Sequence, residues 1–302
     1  MSKRRAFSII ELLVVIAVIA LILAVLLPAL SNSRQQGHGV KCLANLRSLA
    51  AGWDMYAADN DDISAPGRMA NLPGGTSNPS NFYDVGNGLK YRPRWAATIG
   101  KYVGIHAFDA PIPADDAQDY DGAVYQCPAV AERMDARNHA YGYNHQFLGN
   151  SRTADGRYIN FPVNRATISS FGGTVLAADC LGTAAGVPSD ERAPYKNGGT
   201  GFNELGNHGW TLDPPRLTAL SDRGTGDAGS PRTAVDPRHL GKSNVVYCDG
   251  HGERVTPQYI GYRVAPDGTY LEVGGPSSPP HNQWFSGTGR DDDPPSKIAA
   301  PP

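Results

Sequence analysis

Residues 7–27 read FSIIELLVVIAVIALILAVLL, 21 positions of which only Ser8 and Glu11 are polar. As an α-helix this stretch is about 30 Å long, the thickness of a bilayer's hydrocarbon core. A run that apolar has no wet face, so the fold must give it lipid or other apolar helices. An acid inside such a helix costs roughly 2.5–3.5 kcal/mol at mid-membrane and less near an interface. Glu11 lies one turn in from the start, and a chain that keeps it there has a partner for the charge. Lys3, Arg4 and Arg5 directly precede the run. By the positive-inside rule that end stays cytoplasmic and everything beyond Leu30 is exported.

The net charge of −2 gives no electrostatic footprint for nucleic acid. Export makes an oxidising compartment the expectation, so Cys42, Cys127, Cys180 and Cys248 read as disulfide candidates rather than a metal set. Four cysteines allow three pairings, or four free thiols. The expected pairs are Cys42–Cys127, tying a helix to the head, and Cys180–Cys248, joining two strand ends; each would add about 2–4 kcal/mol.

Three readings fit the N-terminus. One is a cleaved secretory signal ending at Ala29-Leu30-Ser31, although the run is longer than such cores. Another is a plain anchor, which leaves Glu11 unexplained. The third rests on Ala6-Phe7-Ser8-Ile9-Ile10-Glu11, which resembles the processing site of type IV prepilins and type II secretion pseudopilins. In that family a prepilin peptidase cuts before a Phe and methylates the new amino terminus, and a glutamate stands fifth in the mature chain. The resemblance implies cleavage between Ala6 and Phe7, N-methyl-Phe7, and Glu11 as the fifth residue. Ala6 departs from the family's usual Gly. Pro28 falls at mature position 22, where many pilins also carry proline. The new ammonium on Phe7 would meet the Glu11 carboxylate of a neighbouring subunit, and Glu11 would select the axial offset of assembly. Implied partners are the peptidase, other pilin or pseudopilin subunits, the inner-membrane assembly platform and the membrane; no cofactor is implied.

Beyond Pro28, expected to kink or locally melt the helix, Gly37 and Gly39 weaken it further. Val40, Leu43, Leu46, Ala50, Trp53 and Ala57 then recur at helical spacing, with Lys41, Asn45 and Ser48 off the stripe. The acidic stretch Asp59-Asn60-Asp61-Asp62 supplies a stop. Strand-like runs follow at 173–178, 244–248, 253–255 and 270–273, separated by long Gly- and Pro-rich loops at 66–87 and 182–237. The fold expectation is α+β: a leader (1–6), a long helix (7–58, with 7–27 transmembrane), a small antiparallel head (59–273), and a disordered tail (274–302).

His239 stands ten residues before Asp249-Gly250. This resembles an H-x9-DG segment near the C-terminus of many bacterial prepilin-type proteins. The segments Cys42–Arg47, 56–60, Cys127-Pro128 and Tyr141-Gly-Tyr-Asn144 agree with that group. From the residues alone, Asp249-Gly250 reads as a hairpin turn and His239 as a structural group; His239, Asp249 and His251 form a weaker metal candidate. Asp59, Asp61 and Asp62 lack the pattern of a self-contained calcium loop. His139, Tyr141, Tyr143 and His145 alternate as in a strand with one wet face. With no G-x-S-x-G elbow, the reading is a structural subunit and not an enzyme. The competing class is a membrane-anchored exported binding protein or hydrolase that borrows the export route.

Overall fold

The computed structural model describes residues 9–115, 117–154, 157–221, 232–272 and 280–295. A single helix, α1 (Ile9–Asp59), carries the described part of the apolar run, from Ile9 onward, and continues into the head. Pro28 lies within it without interrupting it, so the expected melting does not occur. Proline removes one backbone hydrogen bond, and good helix formers on both sides carry the helix past the gap.

Only the second half of α1 is covered. Gly39, Cys42, Asn45, Leu46, Leu49, Ala50, Gly52, Trp53 and Ala57 are buried, whereas Val40 is 64% exposed. The buried stripe is therefore rotated from the expected one and takes in Asn45. Its amide donates to the carbonyls of Gln126 (2.8 Å) and Ala123 (3.2 Å), which offsets the cost of burying it. The helix stops at Asp59, and Asp61 and Asp62 follow with φ of 53° and 61°. Arg165 pairs with Asp54 on the helix and with Asp62 in this turn, so the acidic stop is clamped by a guanidinium.

A hairpin of β1 (Phe82–Asp84) and β2 (Leu89–Tyr91) precedes the short helix α2 (Trp95–Gly100). Next come β3 (Tyr141–Tyr143) and the hairpin β4 (Gly149–Ala154) with β5 (Arg157–Pro162). The remaining strands are β6 (Val175–Gly182), β7 (Ala234–Val235), β8 (Ser243–Tyr247), β9 (Gly252–Val255), β10 (Arg263–Val264) and β11 (Tyr270–Leu271). The main sheet has the order β3-β6-β8-β9, antiparallel throughout, with β7 also on β6. The fold is α+β, a long N-terminal helix with antiparallel sheets.

Both faces of this sheet are covered, and the alternation along its strands shows how. Leu176 and Val246 face the core built with Leu46, Leu49 and Trp53 of α1. Val175, Ala178, Val245 and Tyr247 face a second core with Ile260, Tyr262, Tyr270 and Phe285. A strand covered on both sides reads as a continuous apolar run, and all eight residues of β6 are buried. β3 is buried at every position too, so the expected wet face along 141–143 does not exist.

Phe285 corrects the reading of everything after residue 274 as a mobile tail. Residues 280–295 pack on the sheet: Phe285 is fully buried, the Val175 amide donates to the Trp284 carbonyl (2.7 Å), and Arg216 pairs with Asp291 and Asp293. Two large aromatics in an otherwise polar stretch supply the apolar area that docks it.

Candidate functional site

Two regions carry the features singled out in the sequence. The first is the exposed half of α1. None of the residues in its most apolar 18-residue stretch is buried, and Ile9 and Ile10 are 83% and 75% exposed. Glu11 lies on this bare helix, within its first turn. Ala6 and Phe7 lie outside the described residues. An apolar surface of this extent needs lipid or neighbouring helices around it. By length and composition α1 is able to cross a membrane.

The second region lies where α1 crosses the sheet. Cys42 on α1 is bonded to Cys127, with Cα atoms 5.3 Å apart and a sequence separation of 85. That is the expected helix-to-head pair. The other expected pair is not formed: Cys180 and Cys248 are buried free thiols. The register explains why. The Cys248 amide bonds to the Thr174 carbonyl, so Cys248 sits six residues down β6 from Cys180, about 20 Å at strand spacing. Burial pushes both thiols up, Cys180 to about 12.

His239 sits under the disulfide, 1% exposed, with Nε2 3.6 Å from Cys127 Sγ and 3.4 Å from Asp179 Oδ2. It opens a tight turn into β8. His239 and Lys242 exchange backbone hydrogen bonds around Leu240 (φ 56°) and Gly241 (φ 78°), the positive pair a two-residue hairpin turn requires. Asp179, in the middle of β6, accepts from the Asn244 amide (2.7 Å) and from Arg238 (3.1 Å). Arg238 also approaches Asp236, which pairs with Arg133 at 3.0 Å. Burial opposes the Asp179 charge, but Arg238, His239 and the Asn244 amide outweigh it and hold the carboxyl below its ordinary value. The side chain of His239 thus joins helix, disulfide and central strand.

Asp249 and Gly250 lie elsewhere. They form the β8–β9 turn, with Gly250 at φ 82° and its amide on the Tyr247 carbonyl. His251 pairs with Asp249 and stacks on Tyr247 at 4.3 Å. His239 precedes β8 and Asp249 follows it, so five strand residues, about 17 Å, separate the two halves of the motif. The metal candidate formed of His239, Asp249 and His251 therefore does not come together. The ligand atoms that do converge are those of Cys42, Cys127, Asp179 and His239, all within 4.8 Å of one another, but both sulfurs are committed to the disulfide. Sequence reasoning missed Asp179 and Arg238. The signal was an acid inside the apolar run VLAADCLG and an arginine directly before His239.

An exposed apolar helix sunk by its second half into an α+β head is a pilin-like arrangement. Residues 1–27 match the model of the prokaryotic N-terminal methylation motif. Over 81 residues the chain is 33% identical to the type IV wide pilus major component PilA4 of Thermus thermophilus, a match covering 27% of this chain and 62% of that protein. No solved structure matches the chain. The amino terminus of the chain thus carries a prepilin-type methylation motif, and the matched stretch is similar to a type IV pilus component.

Proposed function

We propose that the protein is a pilin-like subunit of a filament of the type IV pilus or type II secretion kind. A prepilin peptidase cuts between Ala6 and Phe7 and methylates Phe7. The mature chain waits in the bacterial inner membrane as a single-pass protein, amino terminus cytoplasmic and head outside. An assembly platform then extracts it, and α1 packs against the same helix of other subunits. The observation that carries this reading is the bare apolar half of α1, bearing Glu11 in its first turn beneath a methylation motif. The ammonium of Phe7 on one subunit neutralises Glu11 of its neighbour, and losing one member of such a pair leaves the other charge uncompensated.

Glu11→Val tests the proposal. The head is far from the change, so the variant should accumulate as folded, membrane-held monomer. Sheared filaments and cross-linked ladders from the cell envelope should fall at least about tenfold, as expected when a charge in low dielectric loses its partner. Unchanged ladders with this variant would refute assembly through Glu11.

A further inference from the structure

Four side chains meet where α1 crosses the sheet: Cys42 on α1, Cys127 in the head, Asp179 on β6 and His239 at the turn into β8. All four are buried, and their ligand atoms lie within 4.8 Å of one another. The imidazole aims a single nitrogen at two of the others. Its Nε2 is 3.6 Å from Cys127 Sγ and 3.4 Å from Asp179 Oδ2. A tetrahedral zinc ion holds sulfur at about 2.3 Å and nitrogen or oxygen at about 2.0–2.2 Å. In that geometry a sulfur and a nitrogen stand about 3.6 Å apart, and a nitrogen and an oxygen about 3.4 Å. Both separations around His239 already have these values.

The disulfide is what keeps the set from closing on an ion. Its sulfurs are bonded, whereas two sulfurs on one tetrahedral zinc stand about 3.8 Å apart. We propose that Cys42, Cys127, Asp179 and His239 bind a tetrahedral divalent cation of the zinc class once this bond is reduced. A dithiol reductant supplies two electrons and two protons, breaks the S–S bond to give two thiols, and closes to its own disulfide. The ion then displaces both thiol protons. His239 ligates as neutral imidazole with its proton on Nδ1. That nitrogen is buried with no hydrogen-bond partner among the described residues, so nothing there fixes the other tautomer. Two thiolates and an imidazole select zinc over magnesium or calcium.

The surroundings suit an ion. Asp179 accepts from Arg238 at Oδ1 (3.1 Å) and from the Asn244 amide at Oδ2 (2.7 Å), outer contacts of the kind that orient a ligating carboxylate. Two thiolates and a carboxylate exceed the charge of a divalent ion by one, and Arg238 offsets the excess. His239 also lines a groove of about 500 Å³ with Val40, Leu43 and Lys242, which gives an ion a way in. Disulfide and ion are then alternative ties between α1 and the head, and the ion reaches further, to β6 and the turn before β8.

The test is titration of the detergent-solubilised full chain with cobalt(II), a coloured stand-in for zinc, after reduction and anaerobic removal of the reductant. The reduced chain should take up one cobalt with the intense visible absorption of a tetrahedral thiolate site, and zinc should bleach it. The oxidised chain should take up none. Reduced Cys42→Ser and His239→Gln should bind at least about a hundredfold more weakly, since losing an outer-shell partner alone costs up to about that much. His251→Gln, an exposed imidazole removed elsewhere, should bind as the parent chain does. Near-UV circular dichroism reports whether each reduced head is folded. X-ray absorption of the zinc-loaded parent chain needs no variant and should show two sulfur ligands and two of nitrogen or oxygen. No tetrahedral cobalt in the reduced parent chain would overturn the proposal, as would equal uptake by the oxidised chain. Parent-like uptake by Cys42→Ser would also overturn it, by placing the thiolates at Cys180 and Cys248. An all-sulfur or sulfur-free zinc shell would do the same.

Discussion

His139 shows what a single buried residue does to the pH response of the head. Its ring is 1% exposed, lies against Tyr120 at 5.2 Å, and has no hydrogen-bond partner at either nitrogen among the described residues. Burial first, and then Arg94, lower it to about 3; His208 is lowered equally by burial, Arg137 and Arg94. Both are neutral in the folded head and titrate near 6.5 once unfolded. Between those values the unfolded chain binds more protons, so stability rises with pH across the window and is lost as pH falls from about 6.5 toward 3. Urea melts at about pH 7 and about pH 5 should show this loss, and His139→Phe should flatten it. An identical pH slope in that variant would exclude His139 as a source. The alternation of 139, 141, 143 and 145 was visible in the sequence. That both faces of β3 are covered was not, because the residues covering it lie far along the chain.

At the scale of elements, two glycines of α1 predict opposite outcomes. Gly37 is exposed, with nothing within 4 Å of where a Cβ would stand. Gly37→Ala should therefore stabilise the helix by about 0.5–1 kcal/mol. At Gly52 a Cβ would meet the Ile99 carbonyl oxygen of α2 at 2.8 Å, a backbone atom that cannot turn aside. Gly52→Ala should destabilise by about 1–3 kcal/mol through forced backbone shifts. Thermal melts of the two variants should move in opposite directions; a Gly52→Ala variant as stable as the parent would mean that α1 and α2 do not approach this closely. The sequence made α1 legible from its apolar spacing, and the runs at 173–178 and 244–248 located β6 and β8. Glycine alone could not say which position is a weak point and which a contact, since that depends on α2.

For the whole molecule, the Cys42–Cys127 bond couples α1 to the head. Removing both sulfurs, in a Cys42→Ala, Cys127→Ala double variant, should cost about 2–4 kcal/mol in denaturant melts. No loss of stability would show that the packing of α1 alone fixes the head. This link was readable as the pairing that ties the helix-borne Cys42 to the head, on the expectation of an oxidising compartment. The free state of Cys180 and Cys248 was not, because it follows from the register of β6 on β8. The docked segment 280–295 was hidden behind its polar composition, with Trp284 and Phe285 as the overlooked signal. His239 was singled out, but its work under the disulfide depends on Asp179 and Arg238, which only the folded sheet brings to it.

The most direct test of the account is the intact mass and amino-terminal sequence of the protein recovered from its own cell envelope. A chain that begins at Phe7 and carries one added methyl group is the predicted result. It would leave Glu11 at the fifth position, where the proposed pairing needs it. A chain that begins at Asn32 would mean that the apolar half of α1 is discarded as a signal peptide, and filament assembly through that helix would be ruled out.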